Sequence, residues 1–121
     1  MAFWRKKYWN KKSYVDWYTF DSIAEWKRYT KLKVMQDYDE ISDLELQPKF
    51  ILQEAFERNW KKISAVTYIA DFRYVEDGEI IVEDVKGVKT KEYEIKKRLF
   101  LKVHGENIIF LEIKEWVEIE I

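Results

Sequence analysis

Two stretches of the chain repeat apolar residues at helical spacing, and most of the remainder reads at strand spacing. Ile23, Trp26, Tyr29, Leu32 and Met35 recur every third position, which predicts a helix over 23–36. Asp21 and Ser22 precede it as N-cap candidates, and the run from Asp37 to Glu40 breaks it. Ile95, Leu99 and Val103 mark one face of a second helix over 91–103, entered at Thr90 and ended at His104-Gly105. Strands are expected over 14–20, 41–46, 49–56, 64–75, 79–86, 107–113 and 115–121. Gln47-Pro48 punctuates the second and third of these. The order β-α-β-β-β-β-α-β-β predicts an α/β chain, more narrowly α+β with a mixed sheet.

The segments 64–75 and 79–86 are the clearest strands, and Asp77-Gly78 between them is a strong hairpin signal, because a two-residue turn needs positive φ. The register then follows by arithmetic. Glu76 faces Glu79, Val75 faces Ile80 and Asp71 faces Asp84. Residues two apart share a face, so Asp71, Asp84 and Lys86 are expected together near the open end of the hairpin, and Glu83 on the opposite face. Two carboxylates directly opposed repel each other. A hard divalent cation between them relieves this, since Mg²⁺ takes carboxylate oxygens and water. Lys86 is an internal alternative, and so is a solvated hairpin with a diagonal Lys86–Asp71 ion pair.

Glu25 offers a third carboxylate. Ser22-x-x-Glu25 is also a capping box, in which the glutamate reaches back to the helix start, and the two roles are compatible. Gln47 reads either as a polar group beside the site or as part of a strand-ending turn. Thr90 and Tyr93 cap and pack the second helix or touch a phosphate. His104 reads as a helix-end residue.

Composition narrows the chemistry. The chain has 121 residues, no cysteine and one histidine, which excludes a disulfide framework, thiolate zinc sites and His-rich metal sites within one chain. That length fits one domain: residues 1–13 read as a basic aromatic arm and 14–121 as the domain. There is no apolar signal-peptide core and no apolar run near the ~20 residues of a membrane span, so a soluble, cytoplasmic protein without membrane contact is expected. The net charge of −1 conceals segregation. Residues 1–12 hold five basic side chains (Arg5, Lys6, Lys7, Lys11, Lys12) and no acid; residues 86–102 sum to +5, 37–57 to −6 and 106–121 to −4. With Trp4 and Trp9, the arm suits either phosphate contact and base stacking on DNA or packing on a partner subunit.

Asp71, thirteen residues before Asp84-Val85-Lys86 and preceded by a helical Glu25, resembles the PD-(D/E)XK nuclease superfamily, with its restriction-endonuclease-like αβββαβ core. More narrowly, residues 14–103 resemble a small phage and prophage family long described as a domain of unknown function and similar to phage Holliday junction resolvases. The matching segments are Phe20-Asp21-Ser22-x-x-Glu25, Ile41 to Pro48, Tyr68-Ile69-Ala70-Asp71-Phe72 and Glu83-Asp84-Val85-Lys86-Gly87-x-x-Thr90-x-x-Tyr93. The superfamily's proline is absent, because Ala70 precedes Asp71.

The resemblance implies a Mg²⁺-dependent endonuclease in which Mn²⁺ can substitute. Asp71, Asp84 and the Val85 carbonyl would bind the ion, and Glu25 would complete the shell or hold a second ion. Lys86 would orient or deprotonate the attacking water, or neutralise the phosphate. Lys89, Lys91 and Lys97 would add DNA contacts, Lys97 because it shares the Tyr93 face. The implied substrate is branched DNA, foremost the four-way junction, cut by a homodimer. The alternatives are a nicking, flap or duplex endonuclease of the same fold, and a non-catalytic DNA-binding phage accessory protein.

Overall fold

The computed structural model describes residues 13–15, 18–20, 22–86 and 89–121. Arg5, Lys6, Lys7, Lys11 and Lys12 of the arm lie outside them. The elements are β1 (Ser13–Val15), β2 (Tyr18–Phe20), α1 (Ile23–Asp37), β3 (Ser42–Leu46), β4 (Lys49–Gln53), β5 (Phe56–Arg58), β6 (Lys61–Ile63), β7 (Val66–Ile69), β8 (Phe72–Glu76), β9 (Glu79–Val85), α2 (Lys91–His104), β10 (Ile108–Lys114) and β11 (Val117–Glu120). A five-stranded mixed sheet runs β11-β10-β9-β8-β3, with β9 and β10 parallel and the other pairs antiparallel. The succession α1-β3-β8-β9-α2-β10 is the expected αβββαβ core, and α2 is the crossover that parallel strands require. Three two-stranded pairs supplement it: β1-β2, β4-β7 and β5-β6.

The β8-β9 hairpin has the anticipated register, from Glu76 opposite Glu79 to Phe72 opposite Glu83. Asp77 and Gly78 form its turn with φ of 52° and 78°. The expected strand over 64–75 is instead two strands in different sheets. β7 pairs with β4, and β8 pairs with β3. The two halves meet where Gln47 N–H donates to the Asp71 carbonyl (2.9 Å) and Ala70 N–H donates to the Pro48 carbonyl (3.0 Å). A long antiparallel ribbon is thus bent at one point, with Gln47-Pro48 on one side and Ala70-Asp71 on the other. The continuous run of β-formers gave no local sign of this bend. The β5-β6 hairpin was also unforeseen. Its Asn59-Trp60 turn has φ of 50° and 67°, a conformation that glycine usually marks.

Each face of the sheet has its own core. On one side Tyr29 and Leu32 of α1 pack with Ile41, Phe72, Tyr74, Ile81, Leu111 and Ile113. On the other, Tyr93 and Phe100 of α2 pack with Tyr68, Ala70, Val82 and Phe110. The helix faces differ from expectation. In α1, Glu25 and Arg28 are buried beside Tyr29 and Leu32, whereas Ile23 is exposed. In α2, the predicted stripe Ile95, Leu99 and Val103 faces outward. The buried face is Tyr93 and Phe100, and His104 Nε2 lies 2.7 Å from the Ile51 carbonyl oxygen. Gly105 closes α2 tightly, and a Cβ there would sit 2.2 Å from the Leu101 carbonyl oxygen.

Because β9 is covered on both faces, Glu83 is buried and needs a fixed partner. Arg28 supplies it through Nε at 2.7 Å and Nη2 at 2.5 Å, and Tyr74 donates its hydroxyl. Arg28 Nη2 also reaches Glu118 on the edge strand at 2.9 Å. Burial alone would lower the Arg28 pKa, but Glu83 and Glu118 outweigh it and hold the guanidinium firmly charged. Removing one partner leaves an uncompensated buried charge. Arg28→Met is therefore expected to cost about 3–5 kcal/mol of unfolding free energy by urea titration near neutral pH. The double variant Arg28→Met/Glu83→Leu should recover most of that loss; a double variant as unstable as the single one would contradict this account.

Candidate active site

The site forms at the bend of the ribbon. Asp71 follows the buried Ala70, at the point where β7 gives way to β8. The ladder slips there, because Asp71 N–H donates to the Glu83 carbonyl at 3.0 Å, so Asp71 does not face Asp84 in register as the turn arithmetic predicted. Its carboxylate turns toward the end of β9, where Oδ2 accepts the Val85 N–H at 2.6 Å. Asp84 sits on the α2 side of β9, and its Oδ2 accepts the Tyr68 hydroxyl. Burial and the Asp84 charge push the Tyr68 phenol far above its ordinary value, so it remains a donor.

Lys86 joins them as the register implied. Its Nζ is 2.9 Å from Asp84 Oδ1, so the ion pair forms with Asp84 rather than diagonally with Asp71. This is ion-pair distance without hydrogen-bond alignment: Asp84 Oδ1 is buried and has no hydrogen-bond donor. The ammonium also stands 4.3 Å from the Tyr93 ring centroid, a cation–π contact. Asp84 Oδ1 is thus met by the Lys86 charge, as Glu112 Oε1 is by Lys89, and Lys86 touches both Asp84 and the Tyr93 ring.

The electrostatics of the cluster are strained. Burial first, then the charges of Asp84 and Glu25, push the Asp71 carboxyl well above the usual range; the Val85 N–H and Lys86 oppose this. Burial likewise raises Asp84 against the pull of Lys86 and Tyr68. Glu25 is thus near enough for its charge to act on Asp71. It is buried in the first turn of α1, where its N–H donates to the Ser22 Oγ at 3.1 Å. The cap half of the capping box is therefore present together with proximity to the aspartates. Among the described residues no group of three or more histidines, aspartates or glutamates forms a ready-made ion shell.

The remaining candidates fall into place around this centre. Thr90 caps α2, its hydroxyl accepting the Tyr93 N–H at 3.1 Å. Gln47 and Pro48 hold the bend by backbone hydrogen bonds. The missing proline has a structural reason: Ala70 donates its N–H to Pro48, and proline has no N–H. Lys91 is exposed. Lys89 and Lys97 are engaged with Glu112, at 3.0 and 3.2 Å. Glu112 went unnoticed in the sequence. It pairs in register with Asp84 across the parallel strands, on the same face, and accepts the Tyr93 hydroxyl at 2.5 Å. Burial pushes its carboxyl up, but Tyr93, Lys89 and Lys97 outweigh that and hold it below its ordinary value. Only the parallel pairing of β9 with β10, a non-local event, brings it beside Asp84. Glu83 faces away toward Arg28, as the alternation predicted.

The chain belongs to the family described as "Protein of unknown function (DUF1064)", whose profile matches residues 5–117. Comparison with curated protein sequences yields no match. Among solved structures it is similar to one described as "Crystal structure of SSO0001", at 14% identity and a TM-score of 0.41, covering 79% of this chain and 49% of that one. The chain thus spans about half the length of that relative, and a likeness at this level supports no functional argument. Among the described residues no helix is long and apolar enough to cross a membrane.

Raised carboxyl pKa values tie stability to pH. The folded chain retains protons on the Asp71/Asp84 pair at pH values where the unfolded chain, near the ordinary Asp pKa of about 3.9, has released them. Stability from this pair is complete below that value and is lost as pH rises through the raised folded values. In chelator, the wild type should therefore gain more stability than Asp71→Asn between about pH 8 and pH 5 in urea titrations. The asparagine keeps an oxygen for the Val85 N–H. Equal pH dependence of the two proteins would refute the assignment.

Proposed function

We propose that this member of the DUF1064 family is a divalent-cation-dependent endonuclease that cuts branched DNA, with four-way junctions as the preferred substrate. The observation that carries the reading is the convergence of Asp71, Asp84 and Lys86 at the ribbon's bend. A buried carboxylate, Asp84, and a half-buried one, Asp71, meet there with raised pKa values, and a lysine lies against the first. Such a pair is a poor structural device, because ionising both costs energy that nothing on the protein fully offsets. It is a good receptor for a hard cation. The buried Asp84 Oδ1, countered by the Lys86 ammonium without an aligned hydrogen bond, suits exchange of that partner for a cation.

Mg²⁺, or Mn²⁺ in its place, would be held by Asp71, Asp84 and the Val85 carbonyl, with water in the remaining positions and Glu25 beside them. When bound, the cation supplies a water of lowered pKa and stabilises charge on the phosphate. The chain's own residues do the rest. Tyr68 and the Val85 N–H fix the orientation of the two carboxylates. Lys86, braced on Tyr93, presents its ammonium to the phosphate oxygens as the P–O bond to the leaving sugar oxygen breaks. The Lys97–Glu112–Tyr93 network fixes the Tyr93 ring against which Lys86 rests. The preference for branched DNA rests on the family resemblance. Symmetric cutting of a junction needs two such sites, hence a homodimer. The basic arm and Lys91 would add phosphate contacts.

The test compares a four-way junction with linear duplex of the same sequence, with and without Mg²⁺. Junction cleavage should require the cation and vanish in Asp84→Asn, and Lys86→Met should slow it by about 10²–10³-fold. Equal cutting of both DNAs would move the substrate to general duplex. DNA binding without cleavage by the wild type would leave a non-catalytic binding protein.

A further inference from the structure

We propose that a groove adjoining this site receives an unpaired nucleobase of the DNA, stacked on Trp116. The inference rests on the nuclease reading and names the structural feature of the substrate that the site selects. The groove has a volume of about 280 Å³ and opens at the carboxyl ends of the parallel strands β9 and β10. Open α/β sheets bind ligands at that end. Val85 lies opposite Ile113 there, and Lys86 N–H donates to the Ile113 carbonyl at 3.0 Å. The groove therefore shares Val85 and Lys86 with the catalytic cluster, and a base lodged in it lies next to a phosphate bound there.

Its lining matches a nucleotide. Ile23 and Ala24 of α1 face Val85 and Ile113, making an apolar slot. Lys27, Lys86 and Lys114 stand around it. Arg28 also borders it, with its charge already committed to Glu83 and Glu118, and Glu115 is the one acid in the lining. Lys27 and Lys114, with Lys86 shared with Asp84, outnumber the one acid and suit phosphate, and the apolar slot suits a base. The volume falls just below the range of ligand clefts, roughly 300–1,000 Å³, which suits a single base.

Trp116 gives the slot its aromatic wall. It occupies the second turn position between Lys114 and Val117, with φ of 70° after Glu115 at 51°. Glycine is the favoured residue at such a position, and the equivalent place in the β8-β9 turn is Gly78. Tryptophan there strains the backbone and leaves the ring 61% exposed, held by Lys27 Nζ at 5.7 Å from the ring centroid. An indole kept exposed beside lysines is the arrangement that binds unpaired bases, since stacking accepts any base and lysines accept the backbone. A paired base cannot enter the slot, whereas one at a branch point or bulge swings out at low cost. Branch preference then arises without sequence reading.

The test uses the full chain with Mg²⁺ and three DNAs of one sequence: continuous duplex, duplex with one unpaired nucleotide, and the same with an abasic site in place of the unpaired base. The wild type should cut the bulged DNA with a KM about tenfold or more below that for the abasic version. Trp116→Ala should abolish that ratio, and Trp116→Phe should restore most of it. Equal KM values for the wild type, as when another segment of the chain fills the groove, overturn the proposal while leaving the nuclease reading intact. A full ratio in Trp116→Ala does the same. No cleavage of these three DNAs overturns the proposal, and no cleavage of a four-way junction run alongside overturns the nuclease reading as well.

Discussion

Glu83 and Asp84 are consecutive acids in a strand that is covered on both faces. Alternation sends one toward α1 and the other toward α2, so each requires its own compensation. Much of the structure follows from that constraint. Glu83 is answered completely, by a two-point Arg28 contact and the Tyr74 hydroxyl, and the answer anchors α1 and ties down Glu118 of the edge strand. Asp84 is answered incompletely. It receives a tyrosine hydroxyl and a partly aligned lysine, and it has a second carboxylate for a neighbour. The stable ion pair and the unsettled one are adjacent in the chain and separated by the thickness of a sheet.

The sequence disclosed the site better than it disclosed the scaffold. Asp77-Gly78 sets the register as far as Phe72 and Glu83, and alternation puts Asp84 and Lys86 on one face; Asp71 comes beside Asp84 only through the slip in the ladder, which local chemistry did not show. Glu25 was legible as a cap, and its second placement depends on how α1 docks. Glu112 was not legible, because it reaches Asp84 only through the pairing of β9 with β10 across α2. The bend at Ala70-Asp71 was hidden for a related reason. Both sides of it are good strand formers, and the information lies in a crossed pair of backbone hydrogen bonds with Gln47-Pro48. The apolar stripe of α2 misled because Ile95, Leu99 and Val103 are the more hydrophobic face, whereas the aromatic and charged residues that build the site lie on the other.

Charge segregation along the chain also acquires a physical meaning. The basic segment 86–102 and the acidic segment 106–121 are brought together by the β9-α2-β10 crossover. Lys89 and Lys97 meet Glu112 there. Part of the apparent excess of positive charge is therefore consumed inside the protein: Lys86 is paired with Asp84, and Lys89 and Lys97 with Glu112, while Lys91, Lys96, Arg98 and Lys102 remain along α2. Local sums of charge overstate how much of it faces outward.

The β5-β6 hairpin shows a different economy. All its strand residues are exposed, and Trp60 at its tip is 93% exposed. A ribbon without a covered face has two open edges, and open edges recruit other strands. Four of its six strand residues are charged, namely Glu57, Arg58, Lys61 and Lys62. Any strand that added to either edge would have to accommodate those charges side by side. Chain-to-chain β-stacking is thereby discouraged at the place most open to it. The hairpin's charges thus act through the contacts they disfavour, at strand edges that no other described element covers.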